Sequence, residues 1–182
     1  EGGAVNMADA NARVSAGLGV AVTSTGTAAG NACGALVEAY TACTPLLHLT
    51  GQIESPYLDR DLGYIHEAPA QLAMLQSVGK AAFRIRNAET ALATLREAAR
   101  LAFTPPCGPV SIEIPIDVQA TLLDLPADLR EAGSEETEGE WLSVLEREAA
   151  RRLARGETAD AAGDHDVQGT LPRIAHDLRH DR

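Results

Sequence analysis

Apolar runs and polar breaks alternate along the chain, and the period of the pattern switches between helix and strand. From Glu1 to Ser15, Val5, Ala8 and Ala12 recur at helical spacing among small residues, which predicts a helix. Gly17 and Gly19 interrupt it, and Leu18 to Thr23 (LGVAVT) is an apolar run of strand length. A Gly/Thr loop from Ser24 to Thr27 leads to a second predicted helix, Ala29 to Ala42. Pro45 stops that pattern, and Leu46 to Thr50 (LLHLT) reads as a second strand ending at Gly51. A polar loop over 52–66 precedes a short helix around Ala70 to Ser77 and a strand over Ala81 to Ile85. Asn87 is placed to cap a helix from Ala88 to Phe103, with Glu89 in the first turn where the helix dipole favours an anion. Pro105, Pro106 and Gly108 end that helix, and Val110 to Ile114 (VSIEI) is a further strand, closed by Pro115.

Strands that are almost continuously apolar and separated by helices predict an α/β fold, a parallel sheet flanked by helices on both faces. The pattern gives way near residue 120. Residues 1–123 carry 11 acidic and 7 basic side chains, whereas 124–182 carry 15 and 8 in half the length. The expected organisation is a folded domain over 1–119, an acidic linker over 120–140 and a charged helical tail over 141–182. Within the tail, helices are predicted from Trp141 to Arg155 and from Gly169 to Arg182.

Composition narrows the function classes. With 182 residues, 45% of them hydrophobic, the chain has room for one globular domain and a tail. A net charge of −11 argues against nucleic acid and against an anionic membrane surface as partners. No apolar run approaches the roughly 20 residues that span a bilayer, and the first residues are not a basic start followed by an apolar core. Cys33, Cys43 and Cys107 form no CxxC pair, so neither a disulfide framework nor a zinc site is predicted, and a reducing cytoplasm is the expected location. His48 sits mid-strand, where a satisfied core histidine is expected. His176 and His180 have metal-compatible spacing but no third ligand, so no metal-ligating residue is assigned.

Glu1, Ala4, Ala8, Ala12 and Arg13 fall in the pattern E-x-x-A-x-x-x-A-x-x-x-A-R, and a Gly-Val strand and Gly-rich turn follow from Gly19 to Asn31. Three further pieces come in order: Thr50-Gly51-Gln52, Lys80-Ala81-Ala82-Phe83-Arg84, and Gly108-Pro109-Val110 running to Ile114-Pro115-Ile116-Asp117-Val118-Gln119. Together these resemble the N-terminal pyrimidine-binding domain of thiamine-diphosphate enzymes, in the branch of acetolactate synthase, oxalyl-CoA decarboxylase and benzoylformate decarboxylase. The resemblance covers residues 1–119. Where acetolactate synthases usually carry Gly-Pro-Gly, this chain has Thr25-Gly26-Thr27.

The resemblance implies that the Glu1 carboxyl hydrogen-bonds N1′ of the cofactor's aminopyrimidine and shares its proton, within reach of which the thiazolium C2 is deprotonated. It implies that Thr25, Gly26, Asn31 and Gln52 lie on the cofactor side, with His66 and Lys80 toward the substrate. The implied cofactors are thiamine diphosphate and Mg²⁺, with FAD possible in relatives. The implied partners are a small 2-oxo acid and a second copy or a complementary diphosphate-binding chain. In the family, Gly-Asp-Gly with a downstream Asn holds the metal and diphosphate. Gly163-Asp164-His165 is not that motif, and a strand and helix ordinarily precede the glutamate. The expectation is therefore a fragment, split subunit or deletion product that is inactive alone, with the tail a lead-in to a diphosphate-binding domain. Alternatives are a 2-oxo acid or oxalyl-CoA-type decarboxylase, and a non-catalytic remnant or regulatory module of the same fold.

Overall fold

The structure is a computed structural model that describes residues 1–124. The rest of the expected acidic linker and the predicted tail helices lie outside the described residues.

Helix α1 (Gly2–Ser15) ends at Ala16, whose left-handed backbone (φ 53°) turns the chain into strand β1 (Gly19–Thr23). Helix α2 (Thr27–Thr41) returns to β2 (Leu46–Gln52). After the loop, α3 (Gln71–Val78) leads to β3 (Ala81–Arg84), and α4 (Ala91–Phe103) leads to β4 (Pro109–Pro115). A short helix, α5 (Ile116–Gln119), follows. The strands form one parallel sheet in the order β1-β2-β4-β3. Each crossover carries a helix, as parallel pairing requires. The α/β expectation is met. Strand β2 runs past the predicted Thr50, because β4 continues to offer partners, Ile114 for Gly51 and Pro115 for Gln52.

Two apolar clusters sandwich the sheet. On one face Val5 and Ala8 of α1, Ala29, Ala32, Leu36 and Ala39 of α2, and Leu75 of α3 pack over Ala21, Leu46 and Ala82. The many alanines let these helices approach the sheet closely. On the other face Ala98, Ala99 and Ala102 of α4 pack on Leu47, Val110, Ile112 and Ile85. Over β1 no element among the described residues covers this second face, and Val20 and Val22 are exposed.

Side chains alternate along a strand, so register decides which residues share a face. Ala21, His48, Ser111 and Ala82 lie side by side, and so do Thr23, Thr50, Glu113 and Arg84, all on the face covered by α1, α2 and α3. That face is apolar at the sheet's N-terminal end and polar toward its C-terminal end. His48 is fully buried with Nε2 at 2.9 Å from Thr23 Oγ1 and Nδ1 at 3.1 Å from Ser111 Oγ. It is the satisfied core histidine that its mid-strand position suggested.

Candidate cofactor site

The C-terminal edge of a parallel sheet is where open α/β folds leave a crevice, because the crossing helices begin there. Helix α1 runs antiparallel to β1, which brings Glu1 to this edge at the start of the helix. Helix α2 begins at the same edge. Asn31 in its second turn donates from Nδ2 to Glu1 Oε2 at 3.2 Å, and both residues are exposed. One carboxylate and one amide are thereby held together at the ends of two helices.

The turn between β1 and α2 is fixed by close approach. Gly26 has φ 64°, and a Cβ there would come within 2.0 Å of the His66 carbonyl oxygen, so only glycine fits. A Cβ on Gly51 would meet Thr25 Oγ1 at 2.5 Å. Thr25 is buried, and His66 is exposed with its backbone left-handed at φ 62°. Thr25, Gly26, Gly51 and His66 therefore form one backbone-packed cluster.

Beside it lies a buried polar network. Glu113 is fully buried in β4. Its Oε2 accepts from Gln52 Nε2 at 3.1 Å and from Gln71 Nε2 at 3.0 Å, and its Oε1 accepts from Arg84 Nε. Arg84 also donates from Nη1 to Asp59 Oδ2 at 2.9 Å. Gln52 Oε1 accepts from the Ile53 amide at 2.8 Å. Gln71 Nε2 donates to the Gly51 carbonyl at 3.0 Å, and its Oε1 accepts from the Gly26 amide at 2.8 Å. A cavity of about 230 Å³ opens against this network, lined by Gln52, Gln71, Arg84, Asp59, Asp61 and Glu67 among others. Three carboxylates there face one guanidinium that Glu113 and Asp59 already neutralise, so the cavity presents acceptors more than donors.

Of the residues singled out in the sequence, Glu1 and Asn31 are bonded to each other. Thr25, Gly26 and His66 are packed together, and Gln52 joins them through Glu113 and Gln71. Lys80 is set apart. It precedes β3 at the N-terminal edge of the sheet, opposite the others, where its backbone amide bonds to the Pro109 carbonyl at 2.8 Å. Its ammonium donates to the carbonyls of Leu101 (2.7 Å), Thr104 and Pro106 (2.8 Å), closing the C-terminal end of α4. Burial pushes Lys80 down to about 8, although those carbonyls favour the ammonium.

Sequence reasoning passed over Glu113, Gln71 and Arg84 as binding-edge residues. The available signal was period-two polarity inside apolar strands: His48, Thr50 and Gln52 in β2, and Ser111 and Glu113 in β4. Among the described residues no group of three or more His, Cys, Asp or Glu is placed to hold a metal ion. No helix among them is long and apolar enough to cross a membrane.

Comparison with known proteins bears on this edge. Residues 1–74 match the family model for the thiamine pyrophosphate enzyme N-terminal TPP binding domain. The chain is 34% identical over 125 residues to the "Probable acetolactate synthase large subunit" of Methanocaldococcus jannaschii, covering 69% of this chain and 21% of that protein. It is 32% identical over 117 residues to the acetolactate synthase large subunit of Haemophilus influenzae, covering 64% and 20%. The chain thus spans about a fifth of the length of these curated relatives. The fold is shared with the thiamine diphosphate-dependent 4-hydroxybenzoylformate decarboxylase of Rhodococcus jostii RHA1, at a TM-score of 0.61 and 22% identity, over 74% of this chain and 25% of that one.

Proposed function

Because the chain belongs to the thiamine pyrophosphate enzymes, through their N-terminal TPP binding domain, we propose that it forms the aminopyrimidine-binding side of an acetolactate-synthase-like active site acting on 2-oxo acids. The observation that carries the reading is the convergence of the Glu1–Asn31 pair and the Thr25–Gly26 turn at the C-terminal sheet edge. The donor set suits the ring. An exposed carboxylate can share a proton with a ring nitrogen, and Asn31 restrains its orientation without burying it.

In this proposal Glu1 holds and moves the proton at N1′, and Asn31 orients Glu1. The Thr25-Gly26-Thr27 turn brings backbone close to the ring, Gln52 borders the reacting centre, and His66 stands at its outer rim. The cofactor, when bound, supplies the electron sink for cleavage or formation of the bond beside the 2-oxo carbon. Mg²⁺ and the diphosphate are held by a complementary diphosphate-binding domain, provided by another chain or a second copy. The domain over 1–119 is the cofactor-facing unit, and it is inactive alone.

Titration calorimetry with thiamine diphosphate and Mg²⁺ separates the parts of this reading. The chain alone gives no measurable binding, and micromolar affinity would show that it needs no complement. Mixed with the diphosphate-binding domain of an acetolactate-synthase-like enzyme, it binds the cofactor and releases CO₂ from a 2-oxo acid. Glu1→Gln then lowers turnover by about 10²-fold or more with little change in cofactor affinity. Binding without turnover in the wild-type mixture would favour a regulatory module instead.

A further inference from the structure

Glu113 has no role among those just assigned, yet it holds Gln52, which has one, and Gln71, whose other end meets the Gly26 amide. An ionised carboxylate accepts hydrogen bonds and cannot donate. It therefore dictates which way a neighbouring amide points. Both Gln52 and Gln71 turn Nε2 toward Glu113. Their Oε1 atoms are thereby directed outward, Gln52 to the Ile53 amide and Gln71 to the Gly26 amide. The register supplies the rest. Glu113 pairs with Thr50 on one side and Arg84 on the other, and Gln52 follows Thr50 by two residues on the same face.

We propose that Glu113 is a positioning residue: by fixing the amide sense of Gln71 and Gln52, it sets the Thr25-Gly26-Thr27 turn and the end of β2 in the geometry that the cofactor site requires. The proposal deepens the cofactor-site reading and rests on it for its purpose. Arg84 Nε pairs with the carboxylate in a dry setting, so every group that meets Glu113 here is a donor and Glu113 serves them as acceptor. Glutamine at 113 would present an amide that can donate as well as accept. Its NH₂ would oppose Arg84 Nε or one of the two glutamines, and the amide orientations would no longer be forced.

The test is amide hydrogen exchange by NMR on the full ¹⁵N-labelled chain without cofactor, reading Gly26 and Ile53 against Ala98, Ala99 and Ala102 in α4. Gln71→Leu is expected to speed Gly26 exchange about tenfold, with the α4 amides unchanged. E113Q is expected to speed both Gly26 and Ile53 severalfold, again without moving α4. In a Gln71→Leu background, E113Q should add nothing at Gly26 while still acting at Ile53. A role confined to stability would speed all five amides together. That result overturns the proposal, as does an E113Q effect at Gly26 that persists without Gln71. Should E113Q alone not fold, E113Q/R84M removes the opposed donor, and the same comparison is read against R84M. Because the readout needs no cofactor, its failure leaves the cofactor reading standing. Absence of cofactor binding in the reconstituted mixture would instead sink that reading alone.

Discussion

Ile112 and Glu113 are neighbours in β4, both fully buried, and they look to opposite faces of one sheet. Ile112 packs with Leu47, Val110 and the alanines of α4 in a dry layer. Glu113 sits among Gln52, Gln71 and Arg84 under the other helices. The dry face holds the sheet together at every strand that α4 covers. The polar face gives up apolar contact toward the C-terminal edge and puts directed hydrogen bonds in its place. A layer held by contact tolerates small shifts of its members, whereas a hydrogen-bonded layer fixes angles. The division places angular control at the edge where Glu1, Gly26 and Gln52 stand.

The sharpest way to break this comparison is to truncate each neighbour. Ile112→Ala should cost about 3–4 kcal/mol in urea unfolding, from lost apolar burial and the cavity left behind. Glu113→Leu should cost about 3 kcal/mol, because Arg84 loses its buried partner while Asp59 still binds Nη1. The two costs are of similar size, but their remedies differ. Adding Arg84→Met should recover at least half of the Glu113→Leu loss and none of the Ile112→Ala loss. Equal rescue of both would mean that the faces are not mechanically separate.

The next effect lies where the polar face begins. Burial lowers His48 from 6.5 to about 4, so between those values the unfolded chain binds more protons than the folded one. Stability must then fall on acidification through this window, by at most about 3 kcal/mol from this group. Unfolding measured near pH 7 and near pH 4.5 should show a larger loss for the wild type than for His48→Gln, by about 2 kcal/mol. An identical loss in both would place the titration elsewhere, among the carboxylates.

These contrasts also show what could be read in advance. The alternation of elements was legible because glycines and prolines punctuate it, as at Gly17, Pro45 and Pro105. The cap at Asn87 and the buried His48 were legible for local reasons. Glu113 was not. VSIEI reads as an apolar run, and a glutamate inside it acquires meaning only when β4 lies between β2 and β3, an order that local pattern does not contain. Gln71 opens a helix, and nothing nearby in sequence shows that it reaches Gly26, 45 residues away. Lys80 was expected near the substrate, and its place at the opposite edge follows from strand direction.

Lys80 and Asn87 bracket the dry face, since one closes the end of α4 and the other caps the 3₁₀ turn Ala88–Thr90 that leads into it. Lys80→Met withdraws a cation from three carbonyls, one of which also accepts from the Thr104 amide. The expected cost is about 2 kcal/mol, read by chemical denaturation near neutral pH, where the ammonium is present.

Asn87→Ala should have the smallest effect of the series, about 1 kcal/mol or less. The Asn87 side chain accepts from the Thr90 amide at 3.0 Å, but the Thr90 hydroxyl also donates to the Asn87 carbonyl at 3.1 Å, and that second bond survives the substitution. The site is exposed, so water can take the vacated amide. Asn87→Asp keeps the acceptor and adds negative charge at a helix start, so it should match or slightly exceed the wild type at low salt and converge on it at high salt. If Asn87→Ala instead costs as much as Lys80→Met, the beginning of α4 is held as firmly as its end. The dry face would then be fixed at both sheet edges, and angular control would not belong to the polar face alone.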